Sequence, residues 1–392
     1  LRKAADQKPG VVYVVPAIAH EGISKQVLLQ IDALLNKQYD VKLIVLTAVD
    51  RSVLATFAPK LCPEHVLELK QPDAHLSVRS LKSSVSVALQ IRRFLRREHP
   101  QVVFAHAPYA HFIMRLTMLL SRGKISSIKL WQYFHITQYA EYPLISWRRK
   151  LINNLNKWLA NRFDFGHIFV SESVKADVQA HLIKAKNSKV VYNAISRPSI
   201  ETAQASYATS VFRILLPGRV ESSKGQLWFI EPLKEFIRQE QLSPDQMQIV
   251  VAGEGSQLVK LQQEIKLQNL QAFVKVVGKI PNSELMLYMQ QSNLVVVPSF
   301  VEGLPLVILE ALQQKSIVLA SDIAPNREVI SSKEIGYLFK AGNITDCVDK
   351  LQFIYQHREQ QLVDKTAIEE HLNSKFSFEK HIQNLIAVVE SA

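Results

Sequence analysis

Four charged residues in this chain combine types and spacings suited to chemistry on a phosphorylated sugar. Glu302 and Glu310 stand eight positions apart in EGLPLVILE, and Arg219 and Lys224 lie close together in LLPGRVESSKGQ. A planar guanidinium fork beside a point-like ammonium suits a diphosphate, while carboxylates accept hydrogen bonds from sugar hydroxyls. Glu310 is the only charged residue between Gly303 and Gln314, in a stretch that is apolar almost all round. A helix of that kind is expected to be buried, and a buried carboxylate needs donors. Backbone, water or the two hydroxyls of a ribose would serve. Plainer readings stand beside these: Glu302 as a first-turn carboxylate favouring a helix dipole, and Arg219 and Lys224 as solvated charges. His135 follows KLWQYF and opens HITQYAEY; a lone histidine is structural or catalytic according to its position.

The elements around these residues decide between such readings. An apolar run from Leu294 to Val297 is expected to be a buried parallel strand closed by Pro298 and Ser299. Pro305 suits a first helical position, with the helix running to about Gln313. The free N–H groups at its start, those of Leu304 and Leu306 included, then make an anion site. Further strands are expected at residues 11–16, 41–46, 102–105, 128–134, 168–170 and 189–192. Helical stretches separate them, notably 23–35, 81–98 and 144–161. After a polar stretch, Ser196 to Ser210, the alternation restarts with strands at 212–216, 248–251, 274–277 and 317–320 and helices at 226–239 and 257–267. Strands alternating with helices indicate parallel sheets covered on both faces. At 392 residues two domains are expected, with ligands beyond the carboxyl ends of the strands. His135, His106 and His111 all fall at such strand ends, the last two as weaker candidates for an acceptor pocket.

EGLPLVILE, after an apolar strand and at a helix start, resembles the E-x7-E signature of the retaining nucleotide-sugar glycosyltransferases of family 4. LLPGRVESSKGQ is similar to that family's G-R-x4-K-G pattern. The turn at Gly253 and Gly255, and the segments VSESVKADV, VVYNAI and Gly278-Lys279-Ile280, agree with it. The resemblance implies a GT-B fold: α/β, with two doubly wound Rossmann-like domains facing a cleft. It places an acceptor-side domain at 1–197, a linker at 198–210, a nucleotide-sugar-binding domain at 211–375, and a final helix in 376–392 crossing back to the first domain. Glu310 would hold the donor ribose, Arg219 and Lys224 the diphosphate, and the main chain of Gly303, Leu304 and Leu306 would add to the anion site. Glu302 would accept from sugar hydroxyls, and His135 would reach the donor sugar. The family's Gly-Gly pair in the first loop is Glu21-Gly22 here. Gly22 still permits close approach of the backbone to the donor, whereas a carboxylate beside a pyrophosphate is repulsive; an ordinary turn capped through Ser24 is the other reading.

The sequence contains no D-x-D pair of the kind that holds a divalent metal on a diphosphate. The cations at 219 and 224 and the helix start can supply that charge, so a metal-independent enzyme without cofactor is expected. The expected reaction moves a hexosyl unit from a nucleotide-diphosphate sugar to a hydroxyl of a glycan or lipid-linked acceptor, in surface polysaccharide or lipopolysaccharide synthesis. An epimerase of the same fold and a non-catalytic sugar-nucleotide-binding subunit are the alternatives.

Charge is unevenly placed. Residues 1–200 hold 29 Lys and Arg against 13 Asp and Glu, a net +16; residues 201–392 hold 18 against 22, a net −4, which together give the overall +12. Clusters at Arg92-Arg93-Phe94-Leu95-Arg96-Arg97 and Trp147-Arg148-Arg149-Lys150 account for part of the excess. The second opens a helix with Leu151, Ile152, Leu155, Trp158 and Leu159 at helical spacing. That stripe is open to two readings, packing against its own sheet or peripheral contact with an anionic membrane. No nucleic-acid recognition motif accompanies the charge. Cys62 and Cys347 fit no metal spacing and, with no bilayer-length apolar run, favour a cytoplasmic protein, peripheral on the inner face of the plasma membrane in the second reading. The chain starts at Leu1 rather than Met, which leaves open what precedes it.

Overall fold

Five consecutive apolar residues, Val11–Val15, offer no polar face, and a strand of that kind is stable only when both faces of its sheet are covered. All five are buried. A computed structural model of the chain describes residues 8–19, 22–71, 81–195 and 211–391. These fall into two compact units, one formed by 1–193 with 379–392 and the other by 194–378. The expected linker, 198–210, lies outside the described residues.

The first unit carries β1 (Val11–Val15), β2 (Val41–Val45), β3 (Val66–Glu68), β4 (Val102–His106), β5 (Lys129–Phe134), β6 (Gly166–Phe169) and β7 (Asn187–Val190). They form one parallel sheet in the order β3-β2-β1-β4-β5-β6-β7. Val12, Val14, Val103 and Ala105 meet Ile91, Leu95, Ile113 and Met114 of the helices Leu81–Glu98 and Ala107–Leu120 in its core. Ser171 caps the helix Glu172–His181 by accepting from the Val174 N–H at 3.1 Å, while Ser173 lies inside the first turn. The helix Phe378–Glu390 is tied to this unit through His381, whose Nδ1 meets the Tyr192 carbonyl at 2.6 Å, and through Glu390, which accepts from the Tyr39 hydroxyl at 2.8 Å.

A buried ion pair braces the same unit. Arg115 donates through Nε (3.0 Å) and Nη2 (2.7 Å) to the Asp164 carboxylate, which also accepts from Gln132 at 2.9 Å and meets His167 Nε2 at 3.0 Å. Burial alone would raise the Asp164 pKa, but the Arg115 charge and these hydrogen bonds outweigh it and hold the group at about 2.

The second unit carries β8 (Phe212–Pro217), β9 (Met247–Ala252), β10 (Val274–Gly278), β11 (Leu294–Val297), β12 (Val318–Ser321) and β13 (Tyr337–Phe339). These form a parallel sheet in the order β10-β9-β8-β11-β12-β13. Strand order reverses between β8 and β11, and likewise between β1 and β4 in the first unit. Open sheets present a crevice beyond the carboxyl ends of such neighbours. Loops after β8 and β11 carry Arg219, Lys224 and Glu302 there.

Candidate donor site

Backbone contacts fix the loop after β8 before any side chain is considered. The Gly218 N–H donates to the Ala252 carbonyl (2.9 Å), the Val220 N–H to Glu254 (2.9 Å), and the Gln257 N–H back to Val220 (3.0 Å). Gly253 has φ +155°, and a Cβ there would lie 1.9 Å from the Gly218 carbonyl oxygen. Only glycine permits so close an approach. That is why VVAGEGS, weak as a motif, matters structurally. Gln226 adds a side-chain brace, its Nε2 donating to the Arg219 carbonyl at 3.1 Å.

The same loop is fastened to the loop after β11. Gly225 adopts φ +73°, and a Cβ would stand 2.0 Å from the Pro298 carbonyl oxygen. The Phe300 N–H donates to the Ser223 carbonyl at 2.8 Å. This docking brings Lys224 Nζ to 2.7 Å from Glu302 Oε1, which also accepts from the Ser299 hydroxyl at 2.8 Å. Behind them the Ser321 hydroxyl donates to the Ser299 carbonyl, and Asn326 Nδ2 donates to the Ser321 carbonyl at 2.8 Å. Glu302 is 7% exposed, whereas the Lys224 side chain is 23% exposed. Arg219 is exposed at the strand end.

Two expectations change. The helix begins at Leu306, with Pro305 at its cap rather than at its first position. Proline still stops the helix from starting earlier; the Ile308 and Leu309 N–H groups donate to the Pro305 carbonyl at 3.0 and 3.3 Å, so the first-turn groups without an intrahelical acceptor by geometry are those of Leu306 and Val307. Gly303 and Leu304 are buried in the approach to it. The burial order of the glutamates is also reversed. Glu302 is the buried carboxylate, and Glu310, in the second turn of the helix Leu306–Gln313, is only half-buried. An eight-residue helix shows one side of its second turn to solvent even when its composition is nearly all apolar. Periodicity over so few residues could not reveal this.

In the first unit, Gly22 is exposed and opens the helix Gly22–Asn36 after β1; Glu21 lies outside the described residues. Ser24 Oγ accepts from the Ala19 N–H at 3.1 Å and so closes the turn. His135 follows β5 and is 7% exposed. Its Nε2 meets Nδ1 of the wholly buried His106 at 2.8 Å, and its ring stacks on Tyr133 at 4.8 Å. Among the described residues, His135 Nδ1 is buried with no hydrogen-bond partner. Burial, reinforced by His381, lowers the His135 pKa to about 3, and burial likewise pulls His106 well below its usual value. Both rings are therefore neutral. If His106 Nδ1 carries the shared proton, His135 Nδ1–H is left as a donor. His111, 3% exposed, meets the Tyr133 carbonyl at 3.1 Å, and neither His106 nor His111 offers the exposed surface that an acceptor-lining role requires.

Ser299, read from the sequence only as the close of a strand, belongs to the site, as do three residues with no sequence signal: Gln226, His381 and Gln30, whose Nε2 meets His381 Nε2 at 3.0 Å. Ser299 had a usable signal, a hydroxyl directly after a strand end and three residues before the glutamate. The other three act through tertiary contacts alone. Among the described residues, no group of three His, Cys, Asp or Glu side chains could hold a metal ion, and no helix is long and apolar enough to cross a membrane.

Known proteins resemble the chain in sequence and in fold. A family model described as Glycosyl transferases group 1 matches residues 202–368, and one described as Glycosyltransferase Family 4 matches residues 21–197. The UDP-Gal:alpha-D-GlcNAc-diphosphoundecaprenol alpha-1,3-galactosyltransferase of Escherichia coli is 22% identical over 366 residues, covering 87% of this chain and 86% of that protein. The alpha-D-kanosaminyltransferase of Streptomyces kanamyceticus is 24% identical over 287 residues, covering 69% and 72%. Anabaena HepE, solved with UDP and glucose, matches at a TM-score of 0.77 and 16% identity, over 98% of this chain and all of that one. At such identity the structural likeness speaks for the fold, which is GT-B.

Proposed function

The chain belongs to the family 4 type of glycosyltransferases, and from that premise we propose that it moves a sugar, with retention of anomeric configuration, from a nucleoside-diphosphate donor to a hydroxyl of a glycan or lipid-linked acceptor. The observation that carries this reading is the docking of the Arg219–Lys224 loop onto the Glu302 loop beside a helix N-terminus, at the switch point of the second sheet. Arg219 and Lys224 take the diphosphate, and main-chain N–H groups from Gly303 to Leu306 add to it. Lysine has three donors, so Lys224 can remain on Glu302 while reaching a phosphate oxygen. Glu302 then accepts from sugar hydroxyls and Glu310 from the ribose. Gly22 and His135 keep their proposed roles at the donor, His135 as a neutral donor to the sugar.

The bond from the anomeric carbon to the phosphate oxygen breaks while a bond to the acceptor oxygen forms on the same face. The acceptor's proton passes to the departing phosphate oxygen. Charge grows on the leaving diphosphate, and cations already fixed there lower the barrier without reorganising. The E. coli and Streptomyces relatives are named for sugar transfer, one of them to a lipid-linked diphosphate acceptor. Surface polysaccharide or lipopolysaccharide synthesis is the corresponding setting for this chain, and the basic first half suits an acceptor held at an anionic membrane.

The test incubates the protein with UDP-, GDP- and ADP-sugars and a panel of glycan and lipid-linked acceptors, with and without excess chelator, and reads donor consumption and product anomer by NMR. We expect one donor class to turn over at an unchanged rate in chelator and to give the donor's own anomer. An inverted product, or activity abolished by chelator and restored by magnesium or manganese, would contradict the reading.

A further inference from the structure

The helix Trp147–Phe163 is built inside out. A surface helix of a globular protein turns its apolar stripe to the core, but here hydrogen-bonding residues hold the inner face. Asn153 accepts from the Tyr139 hydroxyl at 2.7 Å and donates to the His181 carbonyl at 2.8 Å, and Asn156 accepts from Arg115 at 3.0 Å. Only Leu159 and Ala160 of the helix's apolar residues are buried. Trp147 is 69% exposed, Leu151 60%, Leu155 52% and Trp158 56%. At 100° per residue these four lie along one outward stripe, with tryptophans about 16 Å apart along it. Arg148 borders the stripe on one side, Lys150 and Lys157 border it on the other, and Arg162 stands at its C-terminal end. Ile145, 79% exposed, extends it at the N-terminal end. No acidic residue occurs between Glu141 and Asp164.

The other basic cluster is different. Phe94 and Leu95 are buried, Arg92 donates to the Leu120 carbonyl at 3.0 Å, and among the described residues no exposed apolar stripe accompanies the charges. It reads as a solvated helix end.

We infer that the outward face of the helix Trp147–Phe163 is a docking surface for an anionic lipid bilayer. It lies in the interfacial plane with its two tryptophans and leucines among the acyl-chain ends of the headgroups and its flanking arginines and lysines on lipid phosphates. Charge complementarity selects this occupant. A second copy of the chain would bring the same four basic residues against themselves, and an ordinary protein interface is depleted in charge at its core. Interfacial helices, by contrast, combine a basic polar border with tryptophan and leucine on the buried side. The docking role rests on the transferase reading for its purpose, the delivery of a lipid-linked acceptor, and stands on the side chains alone for its physics.

The experiment measures binding of the full-length protein to vesicles of phosphatidylglycerol–phosphatidylcholine and of phosphatidylcholine alone, by co-sedimentation and by quenching of tryptophan fluorescence with brominated lipids. Donor turnover without vesicles is measured in parallel. The wild type should bind anionic vesicles, bind neutral ones at least tenfold more weakly, and be released by salt. Trp147→Ala with Trp158→Ala should reduce binding at least tenfold and remove the quenching. Removing Arg148 or Lys150 should cost about fivefold each, as one basic residue near an anionic surface does. Soluble turnover and melting temperature should be unchanged, because these side chains are exposed. Equal binding to both vesicle types, binding to neither, or full binding by the double variant would overturn the inference. A concentration-dependent dimer abolished by the tryptophan changes would assign the face to self-association instead. Vesicle binding is read without catalysis, so loss of turnover with intact binding would count against the transferase reading and not against this one.

Discussion

Arg219→Ala is expected to lower turnover by on the order of 10²-fold or more at saturating donor, the size of effect that follows loss of one fixed charge from a transition state that is gaining negative charge. Arg219 is exposed, so its melting temperature should not move. Lys224→Ala should lower turnover as far, but it carries a second consequence. Lys224 is the ammonium at 2.7 Å from the buried Glu302, and without it the carboxylate keeps the Ser299 hydroxyl among its donors but loses its counter-charge. Stability should then fall by about 1–3 kcal/mol, as expected when a buried acceptor loses a partner. The two variants separate catalysis from support: both slow the reaction, only one softens the fold. Near-normal turnover in Arg219→Ala would remove the diphosphate from this loop.

Mild acid should destabilise the first unit. Burial lowers the pKa of His111 and His135 to about 3 and of His381 to about 4, and pulls His106 down as well. Around them stand the neutral phenols Tyr13 and Tyr133 and, beside His111, the Arg115–Asp164 pair. An unfolded histidine titrates near 6.5. Between pH 6.5 and the folded values the unfolded chain binds more protons, so stability is full above about 6.5 and is lost as pH falls towards 3–4. Each group contributes about 1.4 kcal/mol per pH unit across that window. Four of them should remove on the order of 8 kcal/mol between pH 7 and pH 5, comparable with the whole stability of a small domain. The Asp164 carboxylate, held at about 2, adds its own loss only below about 4 and lies outside this interval. Chemical denaturation at the two pH values measures the difference, and an unchanged midpoint would mean that these histidines are protonated in the fold or exposed. His135 should also leave no inflection near pH 6.5 in the rate profile.

Much of this was readable from composition and order. Runs such as VVYVV and LVVV carry the parallel strands directly, because a strand buried on both faces needs no alternation. Two strands went unread, Val66–Glu68 and Tyr337–Phe339, each three residues long and at a sheet edge. So short a segment has no period to detect. At the site, the types of Arg219, Lys224 and Glu302 were legible, but the pairing of Lys224 with Glu302 was not. It depends on Gly225 letting two loops touch at the Pro298 carbonyl, a contact across 73 positions of sequence. The inverted helix shows the same limit from the other side. Helical spacing of Leu151, Leu155 and Trp158 fixed which residues share a face, and only the Asn153 and Asn156 hydrogen bonds decided that this face points outward.

Calorimetric titration of the wild type and Arg219→Ala with UDP, GDP and ADP, each set against its nucleoside, tests the diphosphate assignment most directly. One diphosphate should bind the wild type and its nucleoside far more weakly. Arg219→Ala should lose at least tenfold for that diphosphate and little for the nucleoside. A wild type indifferent to all three diphosphates, or an Arg219→Ala protein that binds the preferred one as tightly as the wild type, would contradict it.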